Sequence, residues 1–289
     1  MIDSTQILPL HHHADTSRSP RLDAFGLTDV GRARKKNQDC YAVLPHLRSY
    51  MVADGMGGVA GGEIASRMAL ESIREMLEDS ETTWPGGYVH ARRSSRVESF
   101  VAGVQLANAR IYARGCREPA LRGMGTTFAG ILFSDDHAVI AHVGDSRVYR
   151  LRGQRLELLT EDHSFLNDQI RAGLVAPEDA HAFPFKNIIS RSVGPHAAVE
   201  VDTCIEHVQP GDIYLLCSDG LCGVIDHDEL TAMLVKQPEL CLAAGAMIDR
   251  TNDLGGPDNI TVVLVRVGEA APLSVGSRSL RGAAPGPSL

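Results

Sequence analysis

The chain has 289 residues, and its hydrophobic content of 44% is enough to build the core of one large domain or two small ones. A formal net charge of −8 argues against a nucleic-acid partner, because phosphate backbones are bound mainly by surplus lysine and arginine. The longest apolar runs are strand-length and short of the roughly 18 residues that cross a bilayer, and residues 1–20 lack the features of a secretory signal, so we expect a cytoplasmic protein with no membrane partner.

The two ends of the chain differ in composition from its centre. Residues 1–20 show no hydrophobic period, and residues 269–289 are rich in alanine, glycine, proline and serine. Such segments bury too little apolar surface to become ordered. We therefore predict disordered extensions over 1–20 and 269–289. They flank one domain at 21–268, because no flexible linker interrupts the centre.

Short apolar segments with strand-like alternation follow one another through this central region. Most are separated by a few turn residues, whereas parallel partners would need crossovers of about a dozen residues or more. The pattern therefore predicts largely antiparallel sheets. The predicted strands cover residues 24–30, 41–43, 49–53, 127–133, 137–143, 147–150, 199–205, 213–217 and 260–267.

Four segments carry apolar residues at helical spacing instead. These predicted helices cover residues 62–78, 97–114, 226–236 and 238–250, with Pro238 in the first turn of the last one. Residues 79–96, which contain Arg92, Arg93 and Arg96, are interpreted as a solvated charged loop. Strands in blocks with helices in pairs predict an α+β sandwich.

The six cysteines are scattered along the chain and form no C-x-x-C pair. They also lack the spacing to histidine that is typical of zinc sites. We interpret them as buried free thiols.

Three aspartates occupy the same kind of local setting. Asp54, Asp145 and Asp219 each follow an apolar strand-like run and lie beside glycine, in Ala53-Asp54-Gly55, Gly144-Asp145-Ser146 and Ser218-Asp219-Gly220. A strand holds such a carboxylate rigidly, while the glycine lets the backbone approach a ligand.

Two further aspartates extend this series. Asp258 follows Gly255-Gly256-Pro257 directly before the last predicted strand, and Asp39 follows Asn37-Gln38. Any one of them is more often an ordinary turn residue. Several converging carboxylates repel one another, however, so a set is usually present to bind cations. Oxygen donors without histidine or cysteine at ligand spacing favour Mg²⁺ or Mn²⁺.

In this order, the motifs resemble the metal-dependent protein phosphatase family of the 2C type (PPM), in its bacterial serine/threonine branch. The resemblance extends over roughly residues 25–267. The matching motifs are Arg34 with Asn37-Gln38-Asp39, then Val52-Ala53-Asp54-Gly55-Met56-Gly57-Gly58, Gly125-Thr126-Thr127, Val143-Gly144-Asp145-Ser146-Arg147, Asp162-His163-Ser164, Ser218-Asp219-Gly220 and Gly256-Pro257-Asp258-Asn259.

The resemblance implies a four-layer α/β/β/α sandwich of two mainly antiparallel sheets. It also implies two Mn²⁺ or Mg²⁺ ions per active site, with a third, weaker site. Asp54 matches the aspartate shared by both ions, with the Gly55 carbonyl as an additional ligand. The other matched metal residues are Asp219 and Asp258 at the first ion, Asp39 in support of the second, and Asp145 with Asp219 at the third.

Arg34 matches the arginine that binds the phosphate group in this family, since a planar guanidinium can hold two phosphoryl oxygens. From the residues alone we would interpret it as a surface charge in the basic run 32–36. Residues 165–194 resemble the flap beside the active site, where substrate choice is expected, although a packed surface excursion remains open.

Two positions depart from the pattern of many relatives. Gln38 stands where many have glutamate, which predicts a weaker second metal site. Met56 stands where some have a histidine proposed as general acid, so the proton for the leaving group must come from elsewhere. His163 is available, but we interpret it as a structural histidine in a turn.

The function implied is hydrolysis of phosphoserine and phosphothreonine in proteins by attack of a hydroxide that bridges two metal ions. We expect phosphoprotein substrates, a cognate serine/threonine kinase as partner, and a monomer. Two alternatives stay open, namely a phosphatase dedicated to one regulatory protein and a catalytically weak binding or sensing relative. The second is marked by loss of metal aspartates, and none of the matched ones is missing.

Overall fold

The structure, a computed structural model, describes residues 19–57, 61–81, 93–185 and 188–270. Its strands lie within one or a few residues of the predicted segments in most cases, because their apolar alternation is local to each strand. The strands are β1 (Pro20–Asp29), β2 (Asp39–Leu44), β3 (Ser49–Met56), β4 (Gly125–Thr126), β5 (Phe128–Phe133), β6 (His137–Val143), β7 (Arg147–Arg152), β8 (Arg155–Leu158), β9 (Asp202–His207), β10 (Ile213–Cys217) and β11 (Ile260–Ala270).

Six α-helices accompany these strands. They are α1 (Gly61–Glu81), α2 (Arg93–Arg117), α3 (Phe165–Arg171), α4 (Asp219–Cys222), α5 (His227–Lys236) and α6 (Leu240–Asp253). Short 3-10 helices lie at Pro45–Leu47, Pro119–Leu121 and Pro177–Ala182. No helix among the described residues combines the length and the apolar character needed to span a membrane.

The strands form two sheets with antiparallel pairing throughout the described residues, as predicted. Sheet A has the order β1-β11-β10-β7-β8. Sheet B has the order β2-β3-β5-β6-β9, with β4 paired to β3. The longest strand, β11, lies between β1 and β10 and so joins the two ends of the chain within one sheet.

Three apolar clusters hold the layers together. The first lies between the sheets, where Tyr50, Phe133 and Tyr214 pack edge to face at centroid separations of 5.8 and 5.3 Å. The second packs α1 and α2 on sheet B, and the third packs α4, α5 and α6 on sheet A. The predicted four-layer α/β/β/α sandwich is therefore confirmed. Each layer buries its apolar face, and burial of this kind is the main driving force for folding.

Four short elements were absent from the predictions, namely β4, β8, α3 and α4. β8 is only four residues long, so its alternation of two polar and two apolar residues is too short to indicate a strand. α3 has no buried residue among its seven, which leaves no apolar stripe for a periodicity argument to detect. The remainder of the predicted flap at 165–194 is irregular apart from the 3-10 helix, and residues 186–187 lie outside the described part.

Several predicted boundaries were wrong. Both ends of the loop predicted at 79–96 are helical, because α1 continues to Glu81 and α2 begins at Arg93. Residues 82–92 lie outside the described part. Pro238 is not in the first turn of α6, since Glu239 is the N-cap. β9 begins at Asp202 rather than at residue 199.

The domain 21–268 stays a prediction, and two strands extend slightly past its bounds. β1 begins at Pro20, and β11 ends at Ala270, so the sheet pairing of these two strands extends beyond the compositional change. The rest of the two predicted extensions, 1–18 and 271–289, lies outside the described residues.

All six cysteines fall in the described residues and are free, as predicted. Their predicted burial is only partly correct. Cys217 is buried and three others are half-buried, whereas Cys116 and Cys241 are exposed. Both exposed thiols lie on outward-facing positions of helices. The presence of a single cysteine in the sequence does not reveal whether it faces the core or the solvent.

Candidate active site

The aspartates converge where strand ends of the two sheets meet. In sheet B, Asp39 at the start of β2 lies opposite Asp54 on β3. In sheet A, Asp219 lies just after β10, and Asp258 lies just before Asn259 and β11, the neighbouring strand. Asp145 lies in the turn between β6 of sheet B and β7 of sheet A. The five aspartates among the predicted metal residues thus share one end of the sandwich, because each lies at or near a strand end there. The remaining predicted metal residue, Gly55, follows Asp54 on β3.

Asp39 is held in place by only one of its carboxylate oxygens. Its Oδ2 accepts hydrogen bonds from Ser218 Oγ at 2.7 Å and from Thr261 Oγ1 at 2.6 Å. Its Oδ1 is buried without a hydrogen-bond partner among the described residues. Burial raises the pKa of Asp39 to about 6, although the two hydroxyl donors act to lower it.

Asp54 and Asp219 form the centre of the cluster. Burial raises the pKa of Asp54 well above its usual value, and the negative charges of Asp39 and Asp219 raise it further. The pKa of Asp219 is raised by burial as well, and its Oδ1 has no hydrogen-bond partner in the described part of the chain. The fold therefore confines three acidic groups whose charges oppose one another.

Asp145 belongs to a turn that neighbouring side chains hold firmly. Its side chain is 9% exposed, and its Oδ1 is also buried without a partner within the described ranges. Burial, followed by the charge of Asp219, raises its pKa to about 7. The turn is fixed by a 2.7 Å contact between Thr127 Oγ1 and Ser146 Oγ.

The donor set fits a divalent cation. Asp39, Asp145 and Asp219 each have one buried carboxylate oxygen that accepts no hydrogen bond from the described residues, and leaving such an atom unpaired costs free energy. A cation would remove both this cost and the repulsion between the carboxylates. Oxygen donors alone suit Mg²⁺ or Mn²⁺ rather than a metal that prefers nitrogen or sulfur.

Glycine is required where the backbone packs closely around these ligands. A Cβ on Gly55 would lie 2.1 Å from the carbonyl oxygen of Gly62, and one on Gly220 would lie 1.9 Å from that of Asn259. The Gly55 amide in turn donates to the Gln38 carbonyl at 3.2 Å. Gly55 thus allows backbone contact between β3 and α1, and Gly220 allows backbone contact between α4 and the residue before β11.

Arg34 lies at the edge of the cluster rather than apart from it. Its Nη2 donates to Asp258 Oδ2 at 2.7 Å, and its side chain remains 54% exposed. The hydrogen bond to Asp258 raises the pKa of Arg34, and the charges of Asp54 and Asp219 add to the effect. The structure therefore brings Arg34 to the site, where its exposed guanidinium can reach an anion at the surface.

A cavity of about 180 Å³ opens beside the cluster. It connects two of the aspartates with Ser164 and Leu166, at the start of the predicted flap. Its remaining polar wall includes Arg147, which is held by Asp162 through two bonds of 2.8 and 2.6 Å. The lining residues are Asp145, Arg147, Asp162, Ser164, Leu166, Asp219, Cys222 and Gly223.

Some residues that shape the site were not assigned a role from the sequence. Ser218 and Thr261 hold Asp39, and Thr127 accepts the amide of Asp54 at 2.9 Å. Asn259 accepts the Gln38 amide at 2.8 Å and donates to the carbonyls of Val30 and Lys36. Most of these residues are in the quoted motifs, which was the available signal. Thr261 lies on β11 beyond them.

The chain was compared with known proteins. A sequence model of the family described as Protein phosphatase 2C matches residues 31–248. Protein phosphatase PhpP of Streptococcus pneumoniae is 36% identical over 246 residues, which are 84% of this chain and 96% of that protein.

Solved structures agree with this match. The serine/threonine phosphatase Stp1 of Staphylococcus aureus superposes with a TM-score of 0.78 at 27% identity, covering 89% of this chain and 99% of that one. The catalytic domain of the serine/threonine protein phosphatase PstP, solved in complex with two manganese ions, gives a TM-score of 0.74 at 34% identity, covering 86% and 99% of the two chains.

Proposed function

Because the chain belongs to the protein phosphatase 2C family and is a metal-dependent serine/threonine protein phosphatase, we propose that its aspartate cluster holds the metal ions. The predicted family, enzyme class and dependence on Mn²⁺ or Mg²⁺ are confirmed. The observation that carries the assignment to particular residues is the set of buried carboxylate oxygens on Asp39, Asp145 and Asp219 that have no hydrogen-bond partner among the residues the structure describes.

We assign the ligands by their match to the motifs of the family, and their positions in the cluster are compatible with it. Asp54, which lies near the charges of Asp39 and Asp219, would be shared by two ions, with the Gly55 carbonyl as an additional ligand. Asp219 and Asp258 hold the first ion from sheet A, and Asp39 supports the second from sheet B. Asp145 with Asp219 forms a third, weaker site next to the 180 Å³ cavity. The bound ions supply the positive charge that activates the attacking water and neutralises the phosphoryl group.

The protein orients the phosphate ester with Arg34. In the structure this guanidinium donates to Asp258, a proposed metal ligand. If Asp258 held a metal ion, its carboxylate would be shared with that ion, and the exposed guanidinium fork of Arg34 could bind two phosphoryl oxygens. Arg34 therefore holds the charge that develops on the phosphoryl oxygens during transfer.

The substrates are phosphoproteins. We propose in addition that the enzyme acts as a cytoplasmic monomer and opposes a cognate serine/threonine kinase. The expectation is supported by the resemblance of the whole described domain to bacterial phosphatases of this family. Measurement of the molecular mass by light scattering tests whether the enzyme is a monomer. Removal by the enzyme of phosphate groups that a candidate kinase has added to a shared substrate tests whether the two oppose each other.

The test of the proposed site is phosphate release from a phosphothreonine peptide. We expect activity with Mn²⁺, none with excess chelator, and a loss of about 100-fold or more in Asp54→Asn and Asp219→Asn, since charge stabilisation of the transition state is lost. The matched control is Asp249→Asn, which removes an exposed carboxylate on α6. Full activity of Asp54→Asn, or Mn²⁺ binding without hydrolysis in the wild type, would contradict the proposal.

A further inference from the structure

His163 connects the Asp145 turn to the rest of the molecule. Its Nδ1 accepts the Gly144 amide proton at 3.1 Å, and its own amide donates to the Gly144 carbonyl at 2.9 Å. Its ring stacks on His142 with a centroid separation of 4.7 Å and an angle of 24°. Gly144 directly precedes Asp145, so the imidazole fixes the backbone from which that carboxylate projects.

The second ring nitrogen of His163 faces a different group. Nε2 lies 3.2 Å from Asp202 Oδ2, and Asp202 is placed there as the cross-strand partner of His142. Since Nδ1 accepts an amide proton, the hydrogen-bond network assigns the ring proton to Nε2, which donates to Asp202. Burial lowers the pKa of His163, and its neighbours His142 and Arg191 add to this, so the neutral ring that this network needs is favoured.

The same histidine lies at the base of the predicted flap. The two sides of the flap meet where Ser164 pairs with Ile189 and where the Ser190 amide donates to the His163 carbonyl at 2.9 Å. Arg191, the next residue, donates to Asp202 Oδ1 at 2.5 Å. Asp202 therefore receives both the imidazole and the arginine, which ties the returning side of the flap to the His163 ring.

His142, His163 and Asp202 have the donor types of a transition-metal site, but Arg191 argues against one. Its Nη1 lies 3.2 Å from His163 Nε2 and already neutralises Asp202. A metal ion here would meet a guanidinium and would have to displace it. The cluster is therefore better suited to holding structure in place than to binding a cation.

We propose that His163 is a positioning residue that couples the two functions of the site, with Nδ1 setting the Asp145 turn for metal binding and Nε2 holding the flap base for substrate binding. This inference rests on the proposed role of Asp145 as a metal ligand. The cavity shared by Asp145, Asp219, Ser164 and Leu166 places the two functions side by side. From the sequence alone, His163 is interpreted as a structural histidine in a turn, with no indication of its contacts to Gly144 and Asp202.

Two conservative variants separate the contacts. In His163→Asn the amide oxygen takes the place of Nδ1 and keeps an acceptor for Gly144, but nothing reaches Asp202. In His163→Gln the longer side chain brings an amide donor to Asp202 and leaves Gly144 without its acceptor. His227→Asn, at an exposed position on α5, is the matched control.

The readouts are the Mn²⁺ concentration for half-maximal activity and the KM for a phosphothreonine peptide. We expect His163→Gln to need about tenfold more Mn²⁺ with little change in KM, since losing a partner behind a metal ligand typically costs 10–100-fold in metal affinity. We expect His163→Asn to keep the Mn²⁺ requirement and to raise the peptide KM, while a small aryl phosphate that cannot reach the flap is hydrolysed as by the wild type.

The opposite assignment, equal effects in both variants, or a change in melting temperature alone would overturn the inference. Absence of Mn²⁺-dependent activity in the wild type would instead contradict the proposed function. A normal wild type with unaffected His163 variants leaves the proposed function standing and removes only the positioning role.

Discussion

At the scale of single residues, the site is characterised by buried carboxylate oxygens that accept no hydrogen bond from the described residues. Asp39 receives two hydroxyl donors on one oxygen and none on the other from the described residues. Fixing one oxygen sets the direction of the other, so the carboxylate is oriented before a ligand arrives. Such preorganisation reduces the cost of assembling the site when an ion binds.

Arg34 can be interpreted either as a phosphate-binding group or as a surface charge, and its replacement distinguishes the two. If Arg34 binds the phosphate group, Arg34→Ala should lower kcat/KM for a phosphothreonine peptide by about 100-fold, the size of effect found when one preorganised donor is removed. The Mn²⁺ concentration required for activity should not rise, because removing the guanidinium group of Arg34 leaves the Asp258 carboxylate free to bind metal.

Lys35→Ala is the control for Arg34, since it removes a neighbouring exposed charge from the same basic run. If both substitutions reduce kcat/KM equally, Arg34 acts only as part of a general positive surface. Steady-state kinetics at low and high ionic strength distinguishes the two cases, because screening affects a diffuse surface charge more than a direct contact.

At the scale of elements, the helix pair α1 and α2 shows how closely the outer layer must pack. Gly103 on α2 faces α1 so closely that a Cβ would lie 2.9 Å from Ile73 Cα. Both residues are buried. The glycine lowers intrinsic helix stability, but it allows the helix axes to approach over sheet B, where the core gains more than the helix loses.

Two helical glycines therefore respond in opposite ways to alanine. Gly103→Ala should destabilise the protein by about 1–3 kcal/mol, the usual cost of overpacking. Gly245→Ala on α6, where nothing lies within 4 Å of the added Cβ, should stabilise it by about 0.5–1 kcal/mol. Urea unfolding followed by circular dichroism measures both, and a stabilised Gly103→Ala would show that the helices can separate without cost.

At the scale of the whole molecule, the metal-free sandwich carries buried acidic groups at one end and a formal net charge of −8. The core between the sheets supports this charged end, because the strands that carry or adjoin the aspartates also contribute side chains to that core. Cation binding to the folded state alone must then stabilise the entire cooperative unit.

Asp145 contributes to the pH dependence of the protein in chelator, and burial shifts the pKa values of Asp39, Asp54 and Asp219 in the same direction. The pKa of Asp145 is about 7 in the fold and 3.8 as an ordinary carboxyl. Between these values the unfolded chain has released the proton and the folded chain retains it, so stability falls as pH rises from about 4 to about 7. The contribution of this group is lost fully above pH 7.

In chelator, the melting temperature of the wild type should therefore fall more between pH 5 and pH 7.5 than that of Asp145→Asn, by on the order of 5 °C. Excess Mn²⁺ should raise the melting temperature most at pH 7.5, where it competes with the fewest protons. Identical pH profiles for the wild type and Asp145→Asn in chelator would show that the pKa of this carboxyl is not raised into this pH range in the folded protein.

The sequence by itself determined the family, the antiparallel sandwich and the aspartates, because strand alternation, short connections and motif residues are properties of neighbouring positions. It missed β4, β8, α3 and α4, since each of them is too short to show a sustained local pattern. The individual metal roles of Asp39, Asp54, Asp145, Asp219 and Asp258 stay predictions.

Only the tertiary structure decided which side chains meet. Arg34 and Asp258 are 224 positions apart, and Thr261 and Asp39 are 222 apart. His163 joins Gly144 to Asp202 across three separate segments. Such contacts are set by how two twisted sheets stack and where their strand ends coincide. That arrangement minimises exposed apolar surface over the whole chain and leaves no trace in any short stretch of it.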